Sequence, residues 1–371
     1  MSKGTIIYVG QFEMPDKNAA AHRVVNNGKI FRSLEYRVVF LGTVRGKVFD
    51  GVKKSAFQDD VFEEAYPLSL KQWLKHVFSI SGIKSVVEKY DDVKLIIMYN
   101  TPYAKYKSVK RFARRKHIKV AYDCTEWNSF ASGSLFKRLY KQIDEFEIRN
   151  LLGKKNDNLI IISNCMKNKY KGCNLLKLPP LVDTEEPIWN QNRLEHNDTF
   201  EFCFAGTTNN KERLDIVISA FSNIDNPKIR LRIIGLTKDD YIKEYKINAC
   251  DIDGRIIFMD KISHKEAVKY TLSCDCYIFI REPSKRNMAG FPTKFAEAYT
   301  CGVPIISTNV SDIKQYYYDK TIILDSVSDK LVTSAMLNAV KAIKIGCSNS
   351  INKTFDYRNY KREAELWISK A

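Results

Sequence analysis

The sequence predicts an α/β protein built as two doubly wound, Rossmann-like parallel sheets, one in each half of the chain. Three observations carry this. Apolar runs of strand length alternate with longer segments of helical period from one end to the other. The runs are apolar on both faces, as strands covered by helices on each side must be. The 371 residues suit two domains at roughly 150 residues each.

In the first half the strands read 5–9, 37–41, 95–99, 119–122 and 159–162. In the second half they read 200–205, 230–234, 255–258, 276–280, 304–307 and 321–324. Between the halves, Leu178-Pro179-Pro180-Leu181-Val182-Asp183 forms a stiff turn, followed by the polar, aperiodic stretch 184–199. This places one domain at 1–183 and a second at 184–354. The aromatic-rich segment 355–371 reads as a helix crossing back to the first domain.

Composition narrows the class. Hydrophobic residues make up 44% of the chain and charged residues 28%, enough for two cores and unlike a disordered or disulfide-built chain. No apolar run approaches the roughly 20 residues that cross a bilayer, and Met1-Ser2-Lys3 stands directly before the first predicted strand, so no leader is expected. Nine cysteines, mostly within strand-like runs, read as reduced thiols of a cytosolic protein. Cys274 and Cys276 have no second pair nearby for a tetrahedral zinc site. The net charge of +17 is uneven, with 33 Lys/Arg against 19 Asp/Glu in residues 1–185. The first half therefore suits an anionic partner. Its densest stretch, 105–119, holds eight cations and no acid.

Ligands of doubly wound sheets bind beyond the carboxyl ends of the strands, so the loops after the strands are the candidate sites. The first is Gly10 followed by Asn18-Ala19-Ala20-Ala21-His22, in which Asn18 caps a helix and Ala20 leaves room for close approach. No acid ends the second strand, so a dinucleotide site is not indicated. The second is Gly206-Thr207-Thr208-Asn209-Asn210-Lys211-Glu212-Arg213. Two cations at a helix start oppose the helix dipole unless an anion lies between them and the free amides. The third is Ala289-Gly290-Phe291-Pro292-Thr293-Lys294-Phe295-Ala296-Glu297, closed by Gly302. Pro292 suits a first helical turn, the amides of Gly290 to Thr293 point out of it, and Lys294 and Glu297 share a face three residues apart. An ammonium there suits a phosphate, and a carboxylate one turn deeper suits vicinal ribose hydroxyls.

Together these segments resemble the retaining glycosyltransferases of the GT-B fold, family 4 (the group 1 transferases), over nearly the whole chain. The resemblance implies two Rossmann-like domains facing each other across a cleft. It implies a nucleoside-diphosphate sugar donor, of UDP or GDP type, held by the second domain. The segment 289–297 is similar to the family's E-x7-E region, which gives Glu297 the donor ribose and the amides of Phe291 to Thr293 the diphosphate. The family's basic pair falls on Lys211 and Lys294, with Arg213 as the alternative to Lys211. Gly206 and Ile234-Gly235 also match, and selection of the base falls near Lys261-Ile262-Ser263. The chain departs from the family at Ala289, where the first acid of that motif would stand, and Glu282 is a candidate replacement. It also carries Asp123 and Glu126 where the family often has a histidine. Either is expected to contact the donor sugar or to receive the acceptor proton.

Breaking a nucleotide–sugar bond leaves negative charge on the diphosphate, which fixed cations and helix amides stabilise. Asp239-Asp240 and Asp91-Asp92 are adjacent pairs that read as solvated rather than as a divalent-ion site, so a metal-independent, cofactor-free reaction is expected, with Lys211 and Lys294 carrying the charge. The basic first domain would then take the acceptor, with Gly10, Asn18, Ala20 and His22 on its side. Leu68 to Tyr90 mixes Trp, Phe and Lys as an interfacial helix does. This suggests an anionic membrane, a lipid-linked saccharide of surface polysaccharide assembly, and a peripheral place at the inner face of the membrane. Two other classes stay open. A nucleic-acid-binding protein would place aromatic residues among the cations, and around Lys105 only Tyr106 and Phe112 do so. A nucleotide-sugar epimerase on the same fold would need a fuller acid/base set than five histidines offer.

Overall fold

The computed structural model describes residues 2–15, 17–55, 60–127, 135–153, 157–194, 198–206, 211–346 and 350–371. The chain divides into two compact units, Met1–Val182 with Asp356–Ala371, and Asp183–Phe355.

The first unit runs β1 (Thr5–Gly10), α1 (Ala19–Ser33), β2 (Arg37–Val44), β3 (Val52–Lys54), β4 (Val61–Ala65), α2 (Leu70–Phe78) and α3 (Ser81–Val87). It continues with β5 (Val93–Tyr99), α4 (Tyr103–Arg115), β6 (Lys119–Cys124), α5 (Leu135–Leu151), β7 (Asn158–Ile161), α6 (Asn164–Lys169) and β8 (Asn174–Lys177). Its eight strands lie in the order β3-β4-β2-β1-β5-β6-β7-β8. All pairs are parallel except β3 with β4. The strand order reverses between β1 and β5, so the loops after these strands diverge and leave a crevice.

The five strands expected in this half form, and three more join them. β3 and β4 are short and carry Glu63, Glu64, Lys53 and Lys54 at half-buried or exposed edge positions. They therefore lack the two-sided apolar signature of the central strands. The stretch from Leu68 to Tyr90 is two helices rather than one, because the chain turns extended at Ser79. A capping box of Ser69 and Gln72 starts α2. The last helix, Lys361–Lys370, packs on this unit through Trp367. The Trp367 indole donates to the Asn174 carbonyl at 3.0 Å and its ring lies 6.2 Å from that of Phe31.

The second unit runs β9 (Phe200–Ala205), α7 (Leu214–Ser222), β10 (Ile229–Ile234), α8 (Lys238–Tyr245), β11 (Ile256–Met259) and α9 (His264–Ser273). Then come β12 (Cys276–Phe279), α10 (Lys285–Ala289), α11 (Thr293–Thr300), β13 (Ile305–Thr308), β14 (Thr321–Leu324) and α12 (Asp329–Ala342). Its sheet is parallel throughout, in the order β11-β10-β9-β12-β13-β14, and reverses between β9 and β12. All six strands expected here form. Phe202, Phe204, Val217, Phe221, Leu231 and Ile278 lie in its core. Among the described residues no helix is long and apolar enough to cross a membrane, and all eight described cysteines are free.

Candidate functional site

In the second unit the reversal point fixes where to look: the loops after β9 and β12. β9 is followed by Gly206, whose amide donates to the Ile234 carbonyl at 2.9 Å. Gly235, after β10, sits at φ +99°, and a Cβ there would stand 3.0 Å from the Gly206 oxygen. Only glycine lets these two loops close on each other. Thr207 and Thr208, expected next to Gly206, lie outside the described residues. The chain resumes at Lys211, which is half-buried, and runs alongside the end of β12. There the Arg213 amide donates to the Ile280 carbonyl at 2.9 Å, and Glu212 bridges Arg281. The Arg281 guanidinium donates to the buried Glu212 carboxylate from Nε at 3.1 Å and also from Nη2. This pair clamps the loop to the strand end.

Arg213 does not stand ready for an anion. Its Nε and Nη2 donate to Asp215 at 2.9 and 2.7 Å, and its Nη1 donates to Glu282 at 2.5 Å. The hydrogen bonds it donates to Asp215 are the first cause of its raised pKa. Two carboxylates outweigh its one positive charge. The alternative to Lys211 is therefore corrected, because Arg213 is already neutralised by neighbours of its own. Glu282, considered as the substitute for the acid missing at Ala289, is the second of those carboxylates. Ala289 itself is fully buried.

The third segment forms two short helices with a sharp entry between them. Ser284 caps α10, the Asn287 amide group donates to the Glu282 carbonyl at 2.8 Å, and Ser311 donates to the Gly290 carbonyl. Phe291 anchors the turn among the rings of Phe295, Tyr316 and Phe355. Pro292 takes the capping position of α11, one residue earlier than the sequence suggests, and no side chain caps the helix. The Phe295 amide donates to the Pro292 carbonyl at 3.1 Å, while those of Thr293 and Lys294 open the helix, where its dipole favours an anion. One turn in, the Lys294 ammonium lies 3.5 Å from one Glu297 oxygen and His264 Nε2 lies 3.3 Å from the other. Glu297 is mostly enclosed, while Lys294 is about a third exposed. A carboxylate beside an ammonium and an imidazole has lone pairs to offer to hydroxyls.

His264 was missed by sequence reasoning. It opens α9 just after the half-buried Ile262, where Ser263 and Glu266 form a capping box. Only the parallel stacking of β11, β10, β9 and β12 brings that loop beside α11. A histidine directly after an N-cap serine at a strand end was the available signal.

In the first unit, Gly10 ends β1, and a Cβ there would lie 2.7 Å from the Tyr99 carbonyl, so β1 and β5 close tightly at this edge. Asn18 caps α1 by accepting from the Ala21 amide at 2.9 Å, and Ala20 and His22 lie half-buried on its first turns. Glu126 is half-buried just beyond β6.

Asp123 is different. It is fully buried and accepts from Arg23 Nε at 3.1 Å, Arg23 Nη2 at 2.8 Å, Asn27 at 3.3 Å and the Tyr8 hydroxyl. Arg23 also donates to the Leu178 carbonyl at 3.0 Å, tying α1 and β6 to the end of the first domain's chain. Burial opposes the Arg23 charge, yet Asp123 more than offsets it and the pKa is raised. The expectation that Asp123 faces a ligand is corrected: its oxygens are spent on a core ion pair. The 105–119 cluster is opposed in part: Arg111, Arg114, Arg115, Lys116 and Lys119 are exposed, and the other three cations are engaged or buried. Lys105 is only 3% exposed, Lys107 pairs with Glu147 at 3.2 Å, and Lys110 pairs with Asp157. These acids come from other elements, which is why the local sequence looked unopposed.

Comparison with known proteins adds to this geometry. Residues 185–335, which span the loops just described, match the model for glycosyl transferases group 1. The second unit carries a group 1 glycosyltransferase domain. No curated protein sequence matches the chain. Among solved structures, sucrose-phosphate synthase from Thermosynechococcus elongatus is similar at 12% identity, covering 99% of this chain and 98% of that one, with a TM-score of 0.72. HepE of Anabaena in complex with UDP-glucose is similar at 15% identity, covering 99% and 100%, with a TM-score of 0.67. WaaG, a glycosyltransferase involved in lipopolysaccharide biosynthesis, is similar at 8% identity, covering 99% and 95%, with a TM-score of 0.61. The fold is that of the GT-B glycosyltransferases. In the group 1 domain, the third segment brings Lys294 and Glu297 together with His264. Among the described residues, no group of three or more His, Cys, Asp or Glu side chains is placed to hold a metal ion.

Proposed function

We propose that the protein transfers a sugar, with retention, from a nucleoside-diphosphate sugar to a saccharide acceptor that is lipid-linked. The observation that carries this is the Lys294–Glu297–His264 cluster one turn below the uncapped start of α11. In this reading the amides of Phe291 and Thr293 hold the diphosphate, and Glu297 accepts from the ribose hydroxyls. Lys294 and Lys211 meet the charge that develops as the sugar leaves. The bond from C1 of the sugar to the diphosphate oxygen breaks and a bond to the acceptor oxygen forms on the same face. The acceptor proton passes to the leaving phosphate. Preorganised cations make this possible without a divalent ion. A uracil base is favoured because HepE, of the same fold, binds UDP-glucose. WaaG's place in lipopolysaccharide synthesis supports a lipid-linked acceptor at the inner face of the membrane. Glu126 is assigned to the acceptor side of the reaction, together with Gly10, Asn18, Ala20 and His22.

The test is nucleotide release from UDP-, GDP- and ADP-sugars by the full chain, with a membrane lipid extract as acceptor, in EDTA and in Mg²⁺. One UDP-sugar is expected to turn over in both. Lys294→Ala is expected to lose about 10²-fold in kcat/KM, as loss of one oxyanion-stabilising donor does, with an unchanged melting temperature. Turnover only with Mg²⁺ would overturn the metal-free mechanism. Release from no sugar nucleotide would overturn the reading.

A further inference from the structure

We propose that α2 and α5 together form a face by which the first unit docks on an anionic lipid surface, with α5 lying along the interface. Among the described residues, fourteen large hydrophobic side chains are exposed, and eight of them lie on these two helices or at Leu68 beside them. α5 is seventeen residues long and buries none of its residues. Leu135, Leu139, Ile143 and Phe146 recur at one helical face, with Phe136 at its margin, and Leu135 is 81% and Phe146 63% exposed. A helix on the surface of a soluble protein turns such a stripe inward; this one turns it outward. Leu70 and Phe78 extend the patch across α2. The two helices are joined by Tyr140, whose ring meets Trp73 at 5.0 Å and Phe78 at 6.0 Å.

The charges of α5 are sorted in the same sense. Its acids are engaged at the back of the helix or along it. Asp144 accepts from the Tyr103 amide at 2.7 Å, capping α4, Glu147 pairs with Lys107, and Glu145 lies 3.7 Å from Arg149. Its first turn holds no acid, and Arg138 and Lys141 are exposed in its first two turns, as are Lys71 and Lys75 on α2. An apolar stripe flanked by lysine and arginine fits the boundary between acyl chains and anionic headgroups. It fits a second copy of the chain poorly, because an isologous contact would set these cations against themselves. This deepens the lipid-linked acceptor reading and rests on it for its purpose, since a docked first unit meets such an acceptor at its own surface.

The experiment is co-sedimentation of the full chain with phosphatidylcholine vesicles and with vesicles containing about 30% phosphatidylglycerol, without sugar nucleotide. Binding is expected to the anionic vesicles. The triple variant Leu139→Ser, Ile143→Ser, Phe146→Ser is expected to weaken it at least about tenfold. Arg138→Gln and Lys141→Gln are each expected to weaken it about fivefold, the equivalent of about 1 kcal/mol per surface cation. All these side chains are exposed, so the variants should melt with the wild type. Equal binding to both vesicles, or wild-type binding by the triple variant, would overturn the proposal. So would a triple variant that changes from dimer to monomer while its vesicle binding is unchanged. UDP binding, measured alongside, separates the two readings: vesicle binding lost with UDP binding kept rejects the docking face alone, and the reverse rejects the transferase alone.

Discussion

Replacing Asp123 with asparagine separates a structural carboxylate from a catalytic one. The substitution keeps the side-chain volume but places an amide group among donors that now converge on a carboxylate. Arg23 Nη2 stands 2.8 Å away and the Asn27 amide 3.3 Å. The Arg23 charge, 6% exposed, would be left in the core with only the Leu178 carbonyl and Pro179 carbonyl to meet it. Removing one partner of a buried ion pair costs about 3–5 kcal/mol. With a urea slope of about 2–3 kcal/mol per molar, the midpoint of the first unit should fall by about 1–2 M. Tryptophan fluorescence during urea unfolding follows this unit, because Trp73, Trp127 and Trp367 lie in it and only Trp189 lies in the other. The paired change Arg23→Met with Asp123→Leu should recover most of the loss, since no charge is then stranded. If Asp123→Asn unfolds within about 0.3 M of the wild type while sugar transfer collapses, Asp123 belongs to the chemistry and the core-pair account is wrong.

Two further outcomes follow from the first unit. Burial pushes the Asp144 carboxyl up from 3.8 to about 6. An acid held protonated more tightly when folded adds stability that is full below about pH 4 and is lost as the pH rises through 6. The stability difference between wild type and Asp144→Asn should therefore change between pH 4 and 7, by no more than about 3 kcal/mol; parallel curves would contradict this. Trp367→Ala removes a buried ring and its hydrogen bond to Asn174. It should destabilise the first unit by about 3–5 kcal/mol and leave the unfolding of the second unit unchanged.

The strands buried on both faces were legible in the sequence because burial makes them continuously apolar, as in Phe200–Ala205 and Thr5–Gly10. β3, at the sheet edge, and β4, next to it, were not, since they keep charged residues such as Lys53 and Glu64 at exposed or half-buried positions. Within the candidate site, Lys294 and Glu297 could be paired from their spacing on one helix. His264 could not, because it reaches Glu297 only through the order of the strands. Local charge misled twice for the same reason. Asp123, Lys107 and Lys110 find their partners on elements distant in the chain, and a linear reading sees each without them. The stripe Leu135, Leu139, Ile143 and Phe146 went unread, because its helical period alone does not say that it turns outward.

The central claim is that the loops at the strand ends of the second unit hold a nucleoside diphosphate. Isothermal titration of UDP into the full chain, and into Glu297→Ala, tests it most directly. The account predicts one UDP per wild-type chain and at least about tenfold weaker binding to the variant, as expected for loss of charge-assisted hydrogen bonds, with an unchanged melting temperature. UDP binding that is equal in the two proteins, or absent from both, would contradict it.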